Sequence, residues 1–123
     1  MKLHAEQGSS LNTITAYGDG FIEINGRAYR SNLTLMPEGE VAVWEVDDAS
    51  GLAVSHLADL AVRAPELVLL GTGTRQIFLH PSKLVPLIGA GIGVETMATG
   101  AACRTYNILM AEGRRVLAAL IAP

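Results

Sequence analysis

The stretch Leu67-Val-Leu-Leu-Gly-Thr-Gly-Thr74 decides the fold. Four large aliphatic residues in a row leave no polar face, so the segment reads as a strand buried on both sides. It breaks into Gly71-Thr72-Gly73-Thr74, a loop beyond the carboxyl end of that strand. In layered α/β proteins this is where ligands usually sit.

Working outward from it, helix and strand patterns alternate. Downstream, Gln76-Ile-Phe-Leu79 is a short apolar piece of unassigned type, and Ser82 is placed to cap a helix through Ile88. Pro86 falls near its first turn, where a missing amide is tolerated. Gly89-Ala-Gly-Ile-Gly93 ends that helix, and Val94-Glu95 is extended. A helix is predicted from Thr99 to Glu112, with Ala102, Thr105, Tyr106 and Leu109 on one face and Gly113 as its stop. Arg115 to Ile121 is a last buried strand.

Upstream, a helix starts at Ser55, carries Leu57, Leu60 and Ala61 at helical spacing, and stops before Pro65. Val41 to Val46 reads as a strand closed by Asp47-Asp48, and Arg27 to Met36 as a third strand with a bend at Ser31-Asn32. Ile14–Tyr17 and Phe21–Ile24 form a hairpin around Gly18-Asp-Gly20. Residues 1–12 read as a polar tail and 13–123 as one α/β domain with a mixed sheet and packed helices.

Composition narrows the function classes. The chain has 123 residues, half of them hydrophobic and 17% charged, which fits either a well-covered sheet or a face for self-association or a partner. A net charge of −3 argues against nucleic-acid binding, which needs a basic surface. Cys103 is the single cysteine, so no intramolecular disulfide forms, and the usage fits a reducing compartment. No signal peptide or membrane span is read, so a cytoplasmic location is expected.

The candidate chemistry is sparse. A dinucleotide fingerprint needs a third glycine at position 76 and a helix directly behind it; position 76 is Gln. No phosphate-loop Gly-Lys-Ser or Gly-Lys-Thr occurs. Gly71, Thr72, Gly73 and Thr74 therefore either turn the chain after a buried strand or present amides and hydroxyls to a ligand or partner. Gly89 to Gly93 follows a helix, where the dipole offers no positive potential. Cys103 lies beside Arg104, yet adjacent helical residues point apart, and a buried thiol is the plainer reading. His4, His56 and His80 show no metal-ligand spacing, and no cofactor is expected. Thr99, Thr105 and Asn107 are polar groups on an apolar helix; they either find structural partners or reach a crevice. Trp44 reads as core or as the anchor of a contact patch.

Pro65-Glu-Leu-Val-Leu-Leu-Gly-Thr-Gly73, Ala101-Ala-Cys-Arg-Thr-Tyr-Asn-Ile-Leu109, Glu112-Gly-Arg114 and Val116-Leu-Ala-Ala-Leu-Ile121, in that order, carry a family resemblance. The chain resembles the small family of domains of unknown function that includes the mitochondrial respiratory complex I assembly factor 3 and the adipogenesis-associated domain protein of animals. The resemblance implies a three-layer α/β fold, with a mixed central sheet, helices on one side and a β-layer on the other. It implies no reaction and no catalytic residues. No transit peptide is read, so a bacterial-type member is expected.

The leading expectation is a non-enzymatic interaction or assembly protein whose partner is a protein, a membrane-associated complex being one candidate. The alternative is a small-molecule or anion site, conceivably enzymatic, at Gly71–Thr74, lined by Thr72, Gly73, Thr99, Thr105 and Asn107, with Cys103 beside it. A third reading is a homodimer formed through a sheet edge or the Trp44 face.

Overall fold

A computed structural model describes residues 11–123. Among the described residues are two sheets and three α-helices. A three-stranded antiparallel sheet comes first: β1 (Ile14–Gly18), β2 (Phe21–Ile24) and β3 (Arg27–Tyr29), in that spatial order. The central sheet holds β4 (Leu33–Leu35), β5 (Ala42–Val43), β6 (Leu67–Thr72), β7 (Gly93–Met97) and β8 (Val116–Ile121), ordered β5-β4-β8-β6-β7. It is mixed: β6 runs parallel to β7 and β8, and β4 runs antiparallel to β8. The helices are α1 (Val54–Ala61), α2 (Val85–Ile88) and α3 (Thr99–Ala111).

The two aliphatic runs are the middle of this sheet. All six residues of β6 and all six of β8 are buried. Successive side chains alternate between faces. Leu67, Leu69, Val116, Ala118 and Leu120 enter one core with Ile14, Ile22 and Ile24 of the small sheet and with Ala102, Cys103, Tyr106 and Met110 of α3. Val68, Leu70, Leu117, Ala119 and Ile121 enter the other with Leu57 and Leu60 of α1, Leu87 of α2, Trp44 and Leu52. Each fully buried aliphatic contributes roughly 1.5–3 kcal/mol relative to exposure, so this sandwich holds most of the fold's stability.

The mixed α/β architecture with a second β-layer is as expected. Its layering is finer: α1 and α2 cover one face, while α3 shares the other with the small sheet. Handedness explains it. The chain steps from β6 to β7 in one direction and from β7 back across β6 to β8 in the other. Parallel crossovers are right-handed almost without exception, so reversing the step puts α2 and α3 on opposite faces.

Four local expectations are corrected. The strand over 27–36 is two strands in different sheets, and the bend at Ser31-Asn32 is the crossing between them. Asn32 holds that corner. Its Nδ2 donates to Val46 O at 2.7 Å, and its Oδ1 accepts from Ala122 N at 2.8 Å. The strand over 41–46 shrinks to Ala42–Val43, because the chain then turns to bury Trp44. The helix expected from Ser82 is a 3-10 turn, Pro81–Leu84, before the single α-turn of α2; its cap is His80, whose ring accepts from Ser82 N at 3.1 Å. Leu11 and Asn12, expected in the polar tail, are held. Leu11 packs against the first core and Asn12 Nδ2 donates to Met36 O at 2.8 Å. Residues 1–10 of that tail, with His4, lie outside the described residues.

Candidate functional site

The carboxyl ends of β6 and β7 are the switch point of the sheet, since the chain leaves them toward opposite faces. The Gly-Thr loop lies there, where ligands bind in such sheets. Its deeper half is closed by protein. Thr72 is buried; its hydroxyl donates to Arg75 O at 2.7 Å and accepts from Ile77 N at 3.0 Å. Thr99, fully buried at the start of α3, donates from Oγ1 to Ile121 O at 2.6 Å and accepts from Gly73 N at 2.8 Å. Gly73 O in turn accepts from Thr99 N at 2.9 Å. At Gly71 a Cβ would stand 2.9 Å from both Leu120 Cδ2 and Thr99 Oγ1, so only glycine lets β6, β8 and α3 approach this closely.

The outer half is open. Gly73 and the exposed Thr74 border a crevice of about 360 Å³. Ala98, Gly100, Ala101 and Arg104 from the start of α3 line it, with Tyr17 and Gly18 of β1 and Pro123. Gly20 N donates to Pro123 O at 2.7 Å, which holds Pro123 beside the β1–β2 turn. Arg104 donates to the Tyr17 hydroxyl, and the Tyr17 ring lies against Gly100, where a Cβ would meet it at 2.9 Å. The first-turn amides of Gly100 and Ala101 have no intrahelical acceptor. With Arg104 they give this wall positive potential. The wall can attract an anion or a carboxylate-bearing partner surface; it offers no paired acid and base.

The nine residues singled out in the sequence therefore divide. Gly71, Thr72, Gly73, Thr74 and Thr99 come together, with Gly73 and Thr74 on the crevice itself. Cys103 is 1% exposed within the first core, and burial pushes its thiol up to about 12 against a smaller opposing pull from Arg104. The Thr105 hydroxyl approaches Met97 Sδ at 3.6 Å, a structural partner. Asn107 faces β1, accepting from Ile14 N at 3.0 Å and donating to Ile14 O at 2.8 Å, so it completes the edge of the small sheet. Trp44 is buried in the second core. The remaining lining residues, from β1, the start of α3 and Pro123, carry no such mark in the sequence. Arg104 stands out there only by its charge beside Cys103, and nothing local to Tyr17 or Pro123 reveals that they meet α3.

A second cavity, about 310 Å³, lies at the other end of the strands between Leu11, Met36, Met110 and Arg115. Its arginines are engaged: Arg114 pairs with Glu66 at 2.6 Å, and Arg115 Nη2 donates to Arg63 O at 2.9 Å. The hydrogen bond from Arg114 holds the Glu66 carboxyl below the usual range. Among the described residues no three His, Cys, Asp or Glu side chains are placed to hold a metal ion, and no helix is long and apolar enough to cross a membrane.

The chain is similar to known proteins along most of its length. A zebrafish (Danio rerio) protein named NADH dehydrogenase (ubiquinone) 1 alpha subcomplex assembly factor 3 is 33% identical over 120 residues, 96% of this chain and 68% of that protein. A Francisella tularensis protein named 13 kDa major membrane protein is 38% identical over 78 residues, 63% of each chain. This chain thus spans about two thirds of either relative. A crystal structure of a Bordetella parapertussis protein superposes with a TM-score of 0.88 at 50% identity, covering 93% of this chain and 98% of that one. Residues 14–121 match the model of the family described as protein of unknown function (DUF498/DUF598), and the chain belongs to that family.

Proposed function

We propose that this protein is a non-enzymatic assembly helper that works by binding another protein, with a subunit of a membrane-associated complex as the partner. The observation that carries the reading is its 33% identity, over nearly the whole chain, to a relative named as an assembly factor of NADH dehydrogenase. The site geometry supports it. The buried polar groups at the Gly-Thr loop are bonded to the protein's own backbone, while the open crevice presents a shallow, positively polarised wall suited to an acidic side chain. Affinity capture of the full chain from its native cell, after mild crosslinking, should recover a stoichiometric partner from a membrane complex or its biogenesis. Recovery of no partner, alongside tight binding of a small molecule, overturns the reading.

The crevice favours one second reading, an anion or small-molecule site between Gly73, Thr74 and Arg104. Titration of the protein with phosphate and small carboxylates, read by amide shifts of Gly73, Gly100 and Ala101, tests it. Absence of saturable shifts rejects it.

A further inference from the structure

Residues 67–94 contain no aspartate or glutamate, although the whole chain carries 12 acidic against 9 basic residues. Within that span the charged side chains are Arg75 and Lys83. The same segment, from the Gly-Thr loop through α2, exposes three large apolar side chains: Phe78 at 82%, Ile88 at 59% and Val85 at 60%. Val85 and Ile88 are three residues apart and share a face of α2. Leu79 and Leu87 are buried in the second core and anchor the segment from below, so it is a fixed surface. Neither cavity includes any of the exposed three. They stand out from the surface.

Single exposed hydrophobics are ordinary. Three within eleven residues, beside two cations and no carboxylate in the segment, are a pattern. α1, which packs against α2, adds one acid, Asp59, and the exposed Val54, with the exposed Val62 just past its end. A protein partner would present a shaped recess for Phe78. A lipid interface needs none: it takes apolar tips into the acyl boundary while flanking cations meet phosphates.

We propose that the 75–88 segment is a peripheral docking surface for anionic lipid bilayers, with Phe78 entering the interface and Arg75 and Lys83 at headgroup level. The proposal does not depend on the assembly role. The test is flotation of the full chain with vesicles of phosphatidylcholine, with or without phosphatidylglycerol, lipid in large excess. The protein should float with the anionic vesicles, less with neutral ones, and less as salt is raised. Phe78→Ser should lower partition about tenfold, and Arg75→Gln with Lys83→Gln together by more than about tenfold. All three positions are at the surface, and circular dichroism of the variants should match the parent. In Phe78→Trp, added anionic vesicles should shift the new indole's emission to the blue, with Trp44 already buried. No flotation of the parent chain, or flotation unchanged by Phe78→Ser, overturns the proposal. Loss of a protein partner in Phe78→Ser without any vesicle binding overturns it too and gives the surface to that partner.

Discussion

Replacing Thr99 by valine probes the joint that closes the Gly-Thr loop. Valine matches threonine in shape, so the perturbation is the hydroxyl alone. That hydroxyl accepts from Gly73 N at 2.8 Å and donates to Ile121 O at 2.6 Å, and Thr99 is fully buried. With valine both backbone groups stay buried without a partner. Each such group costs about 1–3 kcal/mol, so the substitution should destabilise the domain by about 3 kcal/mol. For a chain of this length 1 kcal/mol moves Tm by roughly 3–5 °C, giving a drop of about 10 °C. Urea unfolding followed by circular dichroism measures it, with an unchanged slope marking a pure stability effect. Thr99→Ser keeps the hydroxyl and loses one methyl, so it should cost about 1 kcal/mol. A valine variant within about 0.5 kcal/mol of the parent would refute the bridging role. So would a Gly73 amide that keeps its protection from hydrogen exchange.

Further outcomes follow from three residues. Cys103, buried with its thiol pushed up to about 12, should resist a disulfide reagent at pH 8 until the protein unfolds. Its folded pKa lies above the unfolded value of 9.0, so its contribution is intact below pH 9 and fades as pH rises toward 12; pH-dependent unfolding should show this loss on the alkaline side. Asn107→Ala leaves Ile14 N–H and C=O without their bidentate partner at a half-buried edge; a loss of about 1–2 kcal/mol and faster exchange of the Ile14 amide are expected. Glu66→Gln weakens an ion pair that is close to half exposed on both sides and screened by solvent, and the midpoint of urea unfolding should not move measurably.

What the sequence reveals, and what it hides, follows from how far apart the deciding residues lie. β6 and β8 are legible because each is a continuous aliphatic run, and burial on both faces needs no information from elsewhere. The division of the 27–36 segment between two sheets is not legible, because alternation says a strand is half-buried and not which sheet it joins. The residue that sets the division, Asn32, bonds to Val46 and to Ala122, 14 and 90 positions away. Asn107 is the same case. A polar side chain on an apolar helix looks like a group waiting for a ligand, and its partner is the backbone of Ile14, 93 positions earlier. The crevice shows both sides of this. Gly73 and Thr74 are marked by the break after a buried strand, whereas Tyr17 and Pro123 reach it only through tertiary packing.

The layering was within reach of the sequence once strand order is known. From β6 the chain crosses to β7 over one face and returns to β8 over the other, and right-handed crossovers then require α2 and α3 to lie apart. That same reversal creates the opening between the ends of β6 and β7 where ligands ordinarily enter such sheets. Here Thr72 and Thr99 spend their hydroxyls on the backbone of residues 73, 75, 77 and 121, and Gly71 lets the strands and α3 close without a gap. Opening the sealed half would break buried hydrogen bonds worth several kcal/mol together, at roughly 1 kcal/mol or more each. The two proposed contact surfaces lie outside it: the Thr74–Arg104 crevice and the surface of the 75–88 segment, which carries no carboxylate of its own. Both start from the same four-residue loop, so a change that loosens Thr72 or Thr99 should disturb binding at either surface, while Thr74→Ala, exposed and outside the seal, should disturb the crevice alone.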